Sequence, residues 1–179
     1  MKDITIIDNF INDDELEKVR CAIDRSSWKH DSKSHDMGAV MAWKAIMTKE
    51  ETLCKHLVTK IEKISGKKYK ILRFHANGQT FGQDGEFHID NINDNVYTVL
   101  IYVSPITEEN VDIIGGFTQI KRGTNIINIE PYIKRGLLFK SNMIHRGMAP
   151  SRLSDMLRIT LAIKLEEVSE QLPFSVNYS

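Results

Sequence analysis

Residues 157 to 165, Leu157-Arg158-Ile159-Thr160-Leu161-Ala162-Ile163-Lys164-Leu165, decide how this chain folds. The run is short and rich in Ile and Leu, with polar residues set among the apolar ones, which suits a strand better than a helix. Working back from it, stretches of the same texture recur at 70–75, 86–90, 97–103, 116–121, 125–129 and 136–139. Turn-forming clusters separate them, among them Asn77-Gly78, Gly82 to Gly85, Asn91 to Asn95, Gly115-Gly116 and Arg122-Gly123. No gap after residue 70 holds a helix long enough to cross between parallel strands. Seven strands in about a hundred residues therefore predict an antiparallel barrel or double-sheet jelly roll.

The first third of the chain reads differently. Residues 4–7, Ile-Thr-Ile-Ile, are β-prone, and Asn12 with Glu15 three positions later is the signature of a capping box opening a helix to about Asp24. Thr48-Lys49-Glu50-Glu51 reads as a second box, followed by Leu53, Leu57, Ile61 and Ile64 at helical spacing and by Gly66 as a stop. Between the two helices, residues 26–47 break the pattern with Ser26-Ser27, Gly38, mixed charges, Met37, Met41 and the aromatics Trp28 and Trp43. This segment reads as a long loop, either a lid over a mouth or a plain connection. The expected class is α+β, mainly β with N-terminal helices. One domain spans 1–179: strand and helices over 1–68, the jelly-roll core over 69–165, and a tail over 166–179 that packs back through Leu172 and Phe174.

The 179 residues suit one domain, and 41 % hydrophobic with 27 % charged residues excludes a wholly disordered chain. Lys plus Arg and Asp plus Glu each number 24, so there is no basic surplus, which disfavours a dedicated nucleic-acid binder. No apolar run is long enough to cross a bilayer and the start lacks a signal peptide's pattern, so the expected location is the cytoplasm. Cys21 and Cys54 lie in helical segments without CxxC spacing and read as small buried hydrophobes. Monomer and homodimer are both compatible with this composition.

Chemistry concentrates around three residues. In His88-Ile89-Asp90, the period of two along a strand puts the imidazole and the carboxylate on one face and Ile89 on the other. His145 follows a later strand, where a jelly roll brings a distant segment back beside the first. Two His and one carboxylate make the facial set typical of non-haem Fe(II), with coordination positions left open. An HxD triplet arises often by chance, and each histidine could instead be a hydrogen-bonded rim or turn residue. Arg158 and Thr160 add weight, because they share a strand face and an arginine inside a barrel needs an anion.

The order His88-x-Asp90, His145, Arg158-x-Thr160, with Gly136-Leu137-Leu138-Phe139 before the distal histidine, resembles the 2-oxoglutarate- and Fe(II)-dependent dioxygenases of the prolyl 4-hydroxylase-like branch. The resemblance covers roughly residues 70–165. It implies a double-stranded β-helix (jelly roll) flanked by helices, with Fe(II) on His88, Asp90 and His145. It also implies 2-oxoglutarate as cosubstrate, its far carboxylate on Arg158 and Thr160, with O2 as oxidant and ascorbate as an optional reductant. Tyr97 or Tyr102 would add a hydroxyl to the cosubstrate pocket. The implied reaction is hydroxylation of a C–H bond in a prolyl, peptidyl or amino-acid substrate, or another small metabolite.

Two features depart from that pattern. The stretch Leu72-Arg73-Phe74-His75-Ala76-Asn77 lacks the tyrosine that many members carry before the HxD segment, and Arg158 stands where the animal collagen enzymes use a lysine. Arg152 competes with Arg158 for the carboxylate, but it lies in the loop-like Pro150 to Ser154. A nucleic-acid demethylase of the same superfamily is the rival enzyme, since residues 158–164 partly echo its last strand. A non-catalytic jelly-roll binding module is the rival outside catalysis.

Overall fold

The computed structural model describes residues 3–32 and 40–168. Ten strands form two antiparallel sheets. The larger is ordered β1 (Ile4–Ile7), β8 (Gly136–Lys140), β5 (Val96–Tyr102), β10 (Arg158–Val168), β4 (Lys68–Gln79), β3 (Ala42–Ile46) and β2 (Trp28–Ser32). The smaller is ordered β7 (Asn125–Ile129), β6 (Thr118–Arg122) and β9 (His145–Gly147). Antiparallel pairing throughout, with the two long helices at the start of the chain and a short α3 (Val111–Ile114) between β5 and β6, is the architecture the strand pattern implied.

Side-chain parity gives the large sheet two distinct faces. Phe74 and Ala76 of β4, Tyr97, Val99 and Ile101 of β5, and Leu161, Ile163 and Leu165 of β10 join one buried cluster with Leu16, Val19, Leu57 and Ile61 of the helices. The opposite parity, Tyr102 of β5 with Leu137 and Phe139 of β8, packs on Ile120 and Ile129 of the small sheet. Both faces of the central strands are thus covered, which is why their sequences read as near-continuous apolar runs.

Helix α1 (Asp13–Asp24) begins as its sequence predicts: Glu15 N–H donates to Asn12 Oδ1 and Asn12 N–H to Glu15 Oε2, each at 2.8 Å. Glu15 then reaches α2 (Glu51–Ser65), meeting His56 Nε2 and Lys60 Nζ at 2.6 Å each. The second box does not form. Glu50 takes the N-cap position without a side-chain bond, because the helix starts beyond Thr48. Its stop is as expected, with Gly66 left-handed at φ +69 and its N–H on Glu62 O. The buried stripe is Cys54, Leu57, Val58 and Ile61, while Ile64 is half exposed. Cys54 is a buried hydrophobe whose thiol burial pushes up to about 12, whereas Cys21 is only half-buried and lies against Glu17.

Three expectations need revision. Residues 26–47 are not simply a loop: β2 and β3 pair antiparallel and extend the large sheet beyond β4, with Trp43 opposite Gly78. Met37 lies outside the described residues. Residues 86–90 form no strand; they pair with the small sheet through an isolated bridge, His88 to His145, and the Phe87 ring lies under Lys121 and Arg146 of that sheet. Strand β10 runs on through Val168, past the expected end of the core, and Leu172 and Phe174 lie outside the described residues.

Candidate metal centre and its anion pocket

His88 and His145 face each other across that bridge, each backbone N–H donating to the other's carbonyl at 3.0 and 2.9 Å. Both rings are oriented through Nδ1, which lies 2.8 Å from Glu86 O in His88 and 2.9 Å from Met143 O in His145. Since a carbonyl only accepts, each Nδ1 carries the proton and each Nε2 presents a lone pair. Those lone pairs turn toward Asp90, whose Oδ1 is 3.6 Å from His88 Nε2 and whose Oδ2 is 3.2 Å from His145 Nε2. Ile89, between them, is 43 % exposed and lies at the cavity as well, so the strand parity expected for this segment does not apply.

Burial keeps both imidazoles neutral. It pushes His145 down to about 4, with the neighbouring His88 adding to the effect, and it lowers His88 too. The three ligand atoms lie within 4.8 Å of one another. Two unprotonated ring nitrogens and one carboxylate, each nitrogen's partner atom fixed by a backbone carbonyl, are the donors and supporting contacts that a non-haem Fe(II) requires.

Asp90 is held from three sides. Its backbone N–H donates to Ser141 O at 2.8 Å, Thr98 Oγ1 donates to its Oδ2 at 2.7 Å, and the Lys164 ammonium contacts the same oxygen. Thr98 in turn accepts from Lys164 at 3.0 Å and shares a 2.8 Å bond with Ser141 Oγ. Sequence reading singled out none of these supports. Lys164 was within reach of it, because the period of two that puts Arg158 and Thr160 inward puts Ala162 and Lys164 inward as well.

Arg158 is 3 % exposed, and among the described residues no carboxylate pairs with it. Its Nε donates to Gly116 O at 2.6 Å, Nη1 to Thr160 Oγ1 and Gln79 Oε1 at 2.8 and 3.0 Å, and Nη2 to Thr118 Oγ1 at 3.2 Å. Neutral acceptors hold the guanidinium in place and leave its charge uncompensated, which costs several kcal/mol until an anion arrives. Gly116, at φ +79, admits the side chain: a Cβ there would lie 3.0 Å from Arg158 Cδ.

The two tyrosines separate cleanly. Tyr102 is on the inner face, donates to Thr118 Oγ1 at 2.8 Å, and has its ring 5.7 Å from the Arg158 guanidinium carbon. Tyr97 is not at the site. Five residues away, it has the opposite parity, points to the helix side and donates to Glu167 while accepting from Lys67. Arg152 is exposed in its loop and does not line the pocket.

His88, Asp90, His145, Arg158 and Thr160 line one cavity of about 270 Å³. Strands β3 and β4 contribute a wall that sequence reading missed, including Lys44, Arg73, His75 and Gln79.

No protein-family profile matches this chain, and no curated protein sequence does. Solved structures do. A 2OG-Fe(II) oxygenase-family oxidoreductase from Burkholderia pseudomallei superposes with TM-score 0.75 at 12 % identity, over 92 % of this chain and 85 % of that one. A prolyl hydroxylase from Trichoplax adhaerens, solved with a hypoxia-inducible-factor peptide, gives 0.70 at 18 % identity over 95 % and 85 %. A viral collagen prolyl hydroxylase from Paramecium bursaria Chlorella virus 1, solved with 2-oxoglutarate, gives 0.63 at 18 % over 93 % and 97 %. The chain therefore has the jelly-roll fold of the 2-oxoglutarate oxygenases, prolyl hydroxylases included.

Proposed function

We propose that this protein is an Fe(II)- and 2-oxoglutarate-dependent dioxygenase that hydroxylates a C–H bond. The observation that carries the reading is the pairing, in one cavity, of a two-His, one-carboxylate donor set with a buried guanidinium that lacks an acid partner. His88, Asp90 and His145 would hold the iron, and Arg158 with Thr160 would take the far carboxylate of the cosubstrate. When bound, iron with 2-oxoglutarate supplies the oxidant: one oxygen atom of O2 enters the substrate as hydroxyl, and the other enters succinate as CO2 leaves.

The chain's own part is positional. The Nδ1 bonds to Glu86 O and Met143 O fix the imidazole planes, and the Thr98, Ser141 and Lys164 contacts fix the carboxylate, so the donors are set before metal arrives. Arg158, anchored through Gly116, Gln79, Thr118 and Thr160, defines the cosubstrate's end of the cavity. Tyr102 supports it from behind through Thr118. A prolyl, peptidyl or amino-acid acceptor accords with the Trichoplax neighbour, a prolyl hydroxylase solved with a peptide.

The test is an anaerobic titration of Fe(II) with 2-oxoglutarate, followed for the weak visible charge-transfer band, and then succinate release on admitting air. The expected result is a band that His88→Ala abolishes, with slow succinate formation even without acceptor. A folded, iron-loaded protein with neither band nor succinate would overturn the reading in favour of a binding module.

A further inference from the structure

Beyond Arg158, the cavity holds a second concentration of positive charge on the wall built by β3 and β4. Arg73 stands directly opposite Lys164 across the β4–β10 pair, and Lys44 stands opposite Asn77 across the β3–β4 pair. All four line the cavity. Like charges directly opposite on neighbouring strands are destabilising unless something lies between them. Lys164 has Asp90, but among the described residues neither Lys44 nor Arg73 makes an ion pair or a side-chain hydrogen bond.

His75, between them on β4, points the same way. It is 4 % exposed, its Nδ1 has no hydrogen-bond partner, and it lines the cavity. Burial first, then Lys44, Arg73 and Lys164, hold it down to about 2, so it is a neutral ring among cations. The Lys44 ammonium is itself pushed down by burial and by Arg73, with Asp31 acting in the opposite sense.

The charge balance shows what is wanted. Among the residues lining the cavity, Lys44, Arg73, Arg158 and Lys164 are basic and Asp84 and Asp90 acidic, a formal surplus of two positive charges, with burial first and then Arg73 and Lys44 pushing Lys164 well below the usual lysine range. Fe(II) would add two positive charges and doubly ionised 2-oxoglutarate two negative ones, so loading the enzyme leaves that surplus in place. The remaining basic groups are Lys44 and Arg73; among the described residues neither contacts Arg158, and Arg73 stands six residues along β4 from Gln79, where Arg158 is held.

We infer that Lys44 and Arg73 form a second oxyanion site, and that the molecule hydroxylated is a small acid that places a carboxylate or phosphate there. The assignment of this acid as substrate rests on the function proposed above. A small molecule is favoured over a polyanion because the site lies in a cavity of about 270 Å³ and the whole chain, at 24 basic and 24 acidic residues, has no basic surplus.

The test is a ³¹P NMR titration with inorganic phosphate, on metal-free protein and on protein loaded with Zn(II) and saturating 2-oxoglutarate, with benzoate as the carboxylate probe in competition. Binding is expected in both forms, at least tenfold weaker in Lys44→Gln and Arg73→Gln, and retained in Lys44→Arg, which keeps the charge and controls for misfolding. Stronger competition by benzoate identifies a carboxylic acid, and weaker competition a phosphate ester; either supports the site. In the protein loaded with 2-oxoglutarate, where Arg158 is occupied, an absence of phosphate binding, or binding to the two Gln variants as to wild type, overturns it. A single-stranded oligonucleotide binding far more tightly than phosphate overturns the small-molecule assignment. Phosphate binding that behaves as expected in a protein with no Fe(II) and 2-oxoglutarate band leaves the anion site standing, while the enzymatic reading and the substrate assignment fall.

Discussion

Thr98 Oγ1 donates to Asp90 Oδ2 at 2.7 Å, and its two lone pairs face the Lys164 ammonium at 3.0 Å and Ser141 Oγ at 2.8 Å. One hydroxyl, with no exposed surface, thereby couples the carboxylate ligand to β8's end and to β10. Thr98→Val keeps the shape and removes all three bonds. Fe(II) affinity should fall by about 10- to 100-fold, the usual loss when a contact supporting a ligand is removed. Competition with a coloured chelator measures it, and an unchanged affinity would show that Asp90 needs no such support.

Arg158→Gln removes the charge but retains an amide that can bond Thr160 and Gln79. The dissociation constant for 2-oxoglutarate should rise at least about 30-fold, since losing one partner of a buried ion pair costs about 2–5 kcal/mol. Titration of the charge-transfer band at fixed iron reads this directly. Arg152→Gln, on the exposed loop, should leave that constant as it is.

His75 links the cavity to acid stability. The unfolded chain's histidine takes up a proton below its ordinary 6.5, whereas the folded one, held at about 2, does not. Its contribution is therefore complete above pH 6.5 and is lost progressively as pH falls toward 2. Between about pH 7.5 and pH 5 the loss amounts to about 2 kcal/mol. His75→Phe should flatten the stability difference between those two pH values by that amount, measured by urea unfolding. Equal differences in variant and wild type would show that the ring is not held neutral.

Gly116→Ala forces a Cβ to 3.0 Å from Arg158 Cδ and 3.2 Å from Nε, on a backbone already at φ +79. A loss of about 1–3 kcal/mol is expected from overpacking, read as a fall in Tm. Because the clash falls on Arg158, 2-oxoglutarate binding should weaken in the same variant. A lower Tm with unchanged cosubstrate binding would mean that the guanidinium re-seats without cost.

Much of the candidate site was legible because each of its residues follows a local rule. His88 and Asp90 are two apart, Arg158 and Thr160 are two apart, and His145 follows a strand that must return. The helix ends were legible where a side chain does the capping, as at Asn12, and not where none does, as at Glu50. The pairing of β2 and β3 was hidden because β2, Trp28–Ser32, is polar and mixed in charge after its first residue, and β3, Ala42–Ile46, is too short to show a period. What makes them strands is pairing with β4, a non-local fact that places Trp43 beside Gly78. Tyr97 was misplaced for a simpler reason: before the strand's register is known, parity separates it from Tyr102 without saying which of the two faces inward.

Residues 86–90, which looked like a strand and are not, carry two of the three candidate ligands on a segment joined to the small sheet by the His88–His145 bridge and the Phe87 ring contacts, and to the end of β8 through Asp90 N–H. A bound ion would act there as a clasp, fastening to β9 a stretch of chain that no ladder secures. The energy of metal capture is then also energy of closure. Chelation should loosen this corner first, exposing residues 86–91 to amide exchange while the sheet beneath stays shut.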